Sequence, residues 1–186
     1  MNQETLTNDY KREAAADEIR LEFVDDRELI RLVAVSSHAA FAELYQRFSG
    51  PLFNFLLSLV SDQHTAEDLL QEVFLAVWKG AGRYLGVAAV KTWPFILAYK
   101  QGISNLRRRK DVLVDDLDQI VVAPSSPGLS GDPIQNRMII QEVEQLTPQH
   151  RAALELVLYY QMSYQYAADV LACPVGTIKS RVSYAR

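Results

Sequence analysis

The sequence predicts an all-α protein of two small helical domains joined by a flexible acidic linker. Three observations carry that prediction. Apolar residues recur at spacings of three and four through most of the chain, the repeat of one helix face. No segment alternates usefully as a strand does, apart from a weak Val-rich piece at 120–122. Residues 111–132 break the helical pattern with Asp115, Asp116 and Asp118, followed by Pro124, Ser125, Ser126, Pro127, Gly128, Ser130 and Gly131. Such a stretch buries little apolar surface and stays extended. The expected organisation is therefore an acidic tail at 1–24, a helical domain at 25–110, the linker at 111–132 and a second helical domain at 133–186.

The elements follow in order. Residues 1–24 are acidic and weakly periodic, which predicts a disordered tail. Asp26 is placed to cap a helix carrying Leu29, Ile30 and Val33. Ser37 is placed to cap a second, with Phe41, Leu44, Tyr45 and Phe48 on one face. Gly50-Pro51 is expected to stop it, with Pro51 opening a further helix through Leu52, Phe55, Leu56, Leu59 and Val60. Thr65 is expected to cap the longest helix, 66–79, with Glu67 and Asp68 in a first turn whose dipole favours negative charge. Its Leu69, Leu70, Val73, Phe74, Val77 and Trp78 exceed one narrow stripe, so this helix is buried on two sides or exposed for a partner on one. Gly80 and Gly82 end it. A loop at 83–91 follows, then a helix capped by Thr92 that runs into Arg107-Arg108-Arg109-Lys110. Beyond the linker, Pro133 opens a helix to about Leu146, and Thr147-Pro148 marks another start.

The chain has 186 residues, 49% of them apolar, a net charge of −4 and one cysteine, Cys173. It contains no apolar run of transmembrane length and no apolar signal-peptide stretch, and a lone cysteine suits a reducing cytoplasm. The net charge hides a segregation. Residues 27–110 carry net +5 between two blocks, 1–26 and 111–133, that each carry net −5. Opposed charge blocks point to separate surfaces with separate partners.

The most specific segment is the last, CPVGTIKSRVSYAR at 173–186. It reads as a tight turn and a short basic helix behind another short helix at 163–171. That is a helix-turn-helix, which places its second helix in a DNA major groove. A second nucleic-acid surface lies upstream. Arg83, Tyr84, Lys91, Trp93, Tyr99, Lys100, Asn105 and the run Arg107 to Lys110 combine aromatic rings with cations, the pairing that holds single strands. The cation run exceeds what one helix end needs for its dipole.

These stretches, with TAEDLLQEVFLAVW at 65–78 and RYLGVAAVKTW at 83–93, resemble the extracytoplasmic-function (ECF, group IV) sigma factors of bacterial RNA polymerase, in the sigma-70 family. The resemblance covers about 25–186. It implies that the domains are sigma regions 2 and 4, that the chain directs core polymerase to promoters, and that it has no catalysis, cofactor, metal or small-molecule substrate of its own. It implies three partners: core RNA polymerase, promoter DNA and an anti-sigma factor. The location implied is cytoplasmic, or membrane-associated through that anti-sigma factor. Glu67, Asp68, Leu70, Gln71, Glu72 and Phe74 would face the polymerase. Arg83, Tyr84, Lys91, Thr92, Trp93, Tyr99, Lys100, Asn105, Arg107, Arg108, Arg109 and Lys110 would melt and read the −10 element, with a base flipped out near the 85–91 loop. Gly176, Thr177, Lys179, Ser180, Arg181, Ser183, Tyr184 and Arg186 would read the −35 element, Gly176 and Thr177 letting a helix N-terminus approach a phosphate. The chain departs from the family pattern at Val90, Pro94, Phe95, Ile96 and Lys100, and at Gln165-Tyr166, where acidic residues are usual. It stops at Arg186, where relatives add a basic turn, so a truncated end is expected.

Two other readings stand beside this one. A stand-alone helix-turn-helix regulator would use its N-terminal half for dimerisation or ligand binding. A helical metalloenzyme would use His64, Glu67 and Glu72, a set lacking a second acid–histidine pair. Trp78 is expected in the core, and Cys173 as a small turn residue.

Overall fold

A computed structural model describes residues 21–84, 86, 89–112 and 146–184. Residues 1–20 of the expected 1–24 tail, the linker from 113 on, the Val-rich piece, the expected helix from Pro133 up to residue 145, Arg186 and the side chain of Lys110 lie outside the described residues. All regular structure among them is helical.

Helix α1, Asp26–Ala34, is capped by Asp25 rather than Asp26, the Asp25 carboxylate accepting from the Arg27 N–H at 2.5 Å. Helix α2 runs without a break from His38 to Val60, capped by Ser37 as expected. The expected stop at Gly50-Pro51 is therefore wrong, and Pro51 lies inside the helix. The stripe Leu44, Phe48, Leu52, Phe55, Leu56 and Leu59 is continuous across it and buried throughout. Burying that stripe outweighs the ~3 kcal/mol an interior proline costs. Helix α3, Gln63–Gly80, starts earlier than Thr65 predicts because Asp62 takes the cap, accepting from Thr65 N–H at 2.9 Å and from its hydroxyl. It is shorter than α2. A 3-10 turn, Ala81–Arg83, follows, and then helix α4, Trp93–Val112, which extends into what was expected to be linker.

Helices α1 to α4 form a bundle around Leu29, Ile30, Leu52, Phe55, Leu56, Val60 and Val73, all fully buried. Residues 21–24, the described end of the expected tail, are tied down rather than disordered. Arg47 on α2 donates to the carbonyls of Leu21, Glu22 and Val24 and to Asp26, at 2.8–2.9 Å.

The C-terminal half begins with α5, Pro148–Leu154, capped by Thr147 with Pro148 in its first turn. It continues as one π-helical turn, Glu155–Tyr159, closed by Tyr160 N–H to Glu155 O at 3.0 Å. Then come α6, Tyr164–Leu171, capped by Ser163, and α7, Val175–Tyr184. Ala172 makes the turn between them at φ +49. Ala152, Ala153, Leu156, Val170, Ile178 and Val182 form the interior of this half.

The two halves are not held apart. Helix α5 packs on α2, and α6 packs on α4. Phe95 of α4 meets Tyr160 edge-on at 4.9 Å, and the buried residues of both halves form one connected cluster.

Candidate nucleic-acid and polymerase interface

Helix α3 sets out the first surface. Asp68, Gln71 and Glu72 are exposed and Glu67 partly so. Between them Leu75, which the sequence reading left out, is 51% exposed. Spacings of three and four put Asp68, Gln71, Glu72 and Leu75 on one face, so a helical projection of 65–78 contains the signal. Leu70 and Phe74 are buried, at 8% and 4%, and support this face from below. Phe74 packs on Tyr45 at 4.6 Å and Phe41 at 6.0 Å. Trp78 is partly buried, stacked on His38 at 4.9 Å. The result is an acidic face with apolar side chains at its edge, unsuited to DNA and suited to a protein. His64 faces solvent 3.9 Å from Glu67, and no group of three metal-ligating side chains gathers among the described residues.

The second surface spans the 3-10 turn and α4. Arg83 and Lys91 are exposed. Tyr84 and Trp93, both partly buried, lie 4.9 Å apart and tilted, and Trp93 closes over Gly80, where an added Cβ would meet its ring at 3.2 Å. Along α4, Lys100, Ser104, Arg107 and Arg108 are exposed at helical spacing, a cationic stripe. Two expected members lie elsewhere. Thr92 is 1% exposed, its hydroxyl donating to Ala89 O at 2.7 Å, so it braces the loop and is not presented to solvent. Arg109, on a different face from Arg108, reaches back to Thr65 at 3.3 Å and Asp62 at 3.9 Å. Asn105 keeps its Oδ1 buried with no hydrogen-bond partner. A cleft of about 410 Å³ opens beside this surface, lined by Arg27, Ile30, Arg31, Ala81, Tyr84 and Gly86 among others.

The third surface is α7. Ile178 and Val182 anchor it from beneath, leaving Gly176, Lys179, Ser180, Ser183 and Tyr184 exposed. Thr177 and Arg181 are partly buried. Arg181 donates to Cys173 Sγ at 3.8 Å and lies close enough to Tyr99 of α4 to act on it electrostatically. Burial pushes the Tyr99 phenol up, against the opposing pull of Arg181 and Arg107. One expected −10 residue and one expected −35 residue thus lie within electrostatic reach of each other across the seam.

Comparison with known proteins sets these surfaces in a family. The Sigma-70 region 2 family matches residues 44–112, and the Sigma-70 region 4 family matches 136–186. The RNA polymerase sigma-H factor of Pseudomonas aeruginosa is 28% identical over 174 residues, 87% of this chain and 90% of its own. The ECF RNA polymerase sigma factor RpoE of Cereibacter sphaeroides is 30% identical over 152 residues, 79% and 82% of the two chains. Among solved structures, the sigma factor RpoE of Bartonella quintana, crystallised with the anti-sigma factor NepR, gives a TM-score of 0.64 at 27% identity, covering 78% of this chain and 91% of its own. CnrH in complex with the cytosolic domain of CnrY gives 0.64 at 20% identity, covering 87% and 92%, a likeness of fold alone.

Proposed function

This chain belongs to the ECF group of the sigma-70 family, and from that membership we propose how it divides its work. It directs core RNA polymerase to promoters and helps open them. The exposed face of α3, with Asp68, Gln71, Glu72 and Leu75, docks on the polymerase. The stripe Lys100, Arg107 and Arg108, with Arg83, Lys91 and the Tyr84–Trp93 pair, takes the opened −10 strand, where rings stack bases and cations track the backbone. Helix α7 offers Lys179, Ser180, Ser183 and Tyr184 to the −35 duplex. An anti-sigma factor, of the kind crystallised with RpoE of Bartonella quintana, holds it inactive by covering the α3 face. The chain acts without catalysis of its own, in the cytoplasm or at the membrane through that inhibitor. No helix among the described residues is long and apolar enough to cross a membrane.

The observation that carries this reading is the pairing of an acidic, part-apolar helix face with a separate cationic, aromatic one within a single bundle. The stand-alone regulator is not favoured, because the N-terminal half that it assigns to dimerisation matches sigma region 2. Charge reversal, Asp68→Lys, is the test. Asp68 is exposed, so the fold should hold while affinity for core polymerase falls about tenfold, the order of one interfacial charge contact. Unchanged affinity removes α3 from the interface.

A further inference from the structure

We propose that the cleft between α1 and the turn at 81–86 holds backbone phosphates of the opened strand on Arg27 and Arg31, so that the strand passes over Tyr84 from the cationic stripe of α4 onto α1. The proposal rests on the promoter-factor reading and extends it to a helix whose sequence pattern carried no functional assignment.

The cleft has two walls of different character. Arg27, Ile30, Arg31 and Ala34 stand at spacings of three and four, so one face of α1 makes the first wall. Arg27 and Arg31 are exposed, while Ile30, at 2%, anchors that face from below. In the second wall, Ala81, Gly82, Tyr84 and Gly86, only Tyr84 has a side chain larger than a methyl. A Cβ at Gly82 would meet nothing within 4 Å. Gly86 sits at φ +70, and Arg27 Nη2 lies 3.4 Å from where its Cβ would stand. The turn thus leaves room between two guanidiniums and one ring. Its volume of about 410 Å³ falls in the range of roughly 300–1,000 Å³ typical of small-ligand sites.

The donors decide the ligand. A guanidinium has five N–H donors and no acceptor, and it grips a phosphate through two parallel bonds. Among the lining side chains only the Tyr84 hydroxyl can accept. A site so short of acceptors reads a base edge poorly and suits an anion. Two carboxylates stand on the same turn of α1. Asp25 is taken up by the Arg27 N–H as the helix cap. Glu28 pairs with Arg31 at 3.0 Å, but at 49% and 70% side-chain exposure that pair is weak, and a phosphate displaces it. The Arg27 guanidinium has no carboxylate partner among the described residues. Burial pushes the Tyr84 phenol up and the Arg27 charge pulls it back, which sets this guanidinium near the ring.

Continuity with the −10 surface selects a nucleic-acid strand over a free anion. Tyr84 belongs to both places, 4.9 Å from Trp93 on one side and lining the cleft on the other. A base stacked at that pair brings the neighbouring phosphates to the edge of the cleft, and single-strand sites combine such rings with a cationic track in this way.

The test is a salt titration of strand binding by the full chain, with a fluorescein-labelled oligothymidine of about 12 nucleotides as probe. Arg31→Gln should lower the slope of log affinity against log salt by about 0.7, and Arg27→Gln with Arg31→Gln by about 1.4, the counterions of one and two single-strand phosphates. Affinity of the double variant should fall about tenfold. Helix content by circular dichroism should match the parent, because both side chains are exposed. A thiothymidine-substituted probe, photocrosslinked and mapped by mass spectrometry, should mark Tyr84 and residues 27–34 together. Oligoglutamate of equal charge, with no rings to stack, should compete far less well than unlabelled oligothymidine. An unchanged slope in the double variant overturns the proposal, as do crosslinks to Tyr84 that leave out 27–34. Equal competition by oligoglutamate also overturns it and makes the cleft a site for acidic peptide. Lys100→Gln with Arg107→Gln keeps the two readings apart. If that pair lowers affinity and the α1 pair does not, the −10 surface stands and the cleft alone fails, whereas if neither pair matters the −10 surface fails as well.

Discussion

Arg47 is the single side chain whose removal the structure most clearly forbids, and Arg47→Ala tests why. Its guanidinium donates to Glu43 at 2.7 Å, to Asp26 and the carbonyls of Val24 and Leu21 at 2.8 Å, and to the Glu22 carbonyl at 2.9 Å. Burial alone would lower its pKa, but the bonds to Asp26 and Glu43 win and raise it. Truncation leaves two carboxylates at 16% and 13% side-chain exposure without their cation, and three carbonyls without their donor. Counting five bonds to a charged group at ~1.5 kcal/mol each would give about 8 kcal/mol. That figure is too large, because the Arg47 side chain is itself 24% exposed and water can enter the vacated space. A loss of about 3 kcal/mol is the expected net, measured as the shift in urea unfolding at constant m-value. Hydrogen exchange locates the effect: amides of 21–26 should lose protection well before those of α7, because Arg47 ties the Leu21, Glu22 and Val24 carbonyls and Asp26 to α2. A loss under about 1 kcal/mol, with 21–26 still protected, would refute the reasoning.

Two further outcomes follow from the same structure. Pro51→Ala should stabilise the chain by about 1–2 kcal/mol in urea unfolding, since alanine restores an interior helical N–H while the Pro51 carbonyl that Tyr160 uses is retained. Arg181→Ala, in complex with core polymerase, should cost about 1–3 kcal/mol at one position of a single-base-changed panel of upstream duplexes if it reads a base, and a uniform loss across the panel would mark a phosphate contact.

The helices were legible wherever a polar cap met an apolar stripe. Ser37 and Thr147 each accept from the backbone as their sequence context predicts. The errors fall where two local signals compete. At Gly50-Pro51 a strong punctuation signal lost to the stripe from Leu44 to Leu59, because the stripe's partners lie far away in sequence. At Thr65 a plausible cap lost to Asp62, three residues earlier and a better acceptor. Among the site residues, Lys100, Arg107, Arg108, Lys179 and Ser180 stand on the surface as the pattern implies. Thr92 and Arg109 were grouped with them by proximity in sequence, but Thr92 turns inward and Arg109 turns to another face. The seam was illegible altogether. Ser58, Arg151, Glu155 and Tyr160 are unremarkable in sequence, and only the docking of α5 on α2 brings them together.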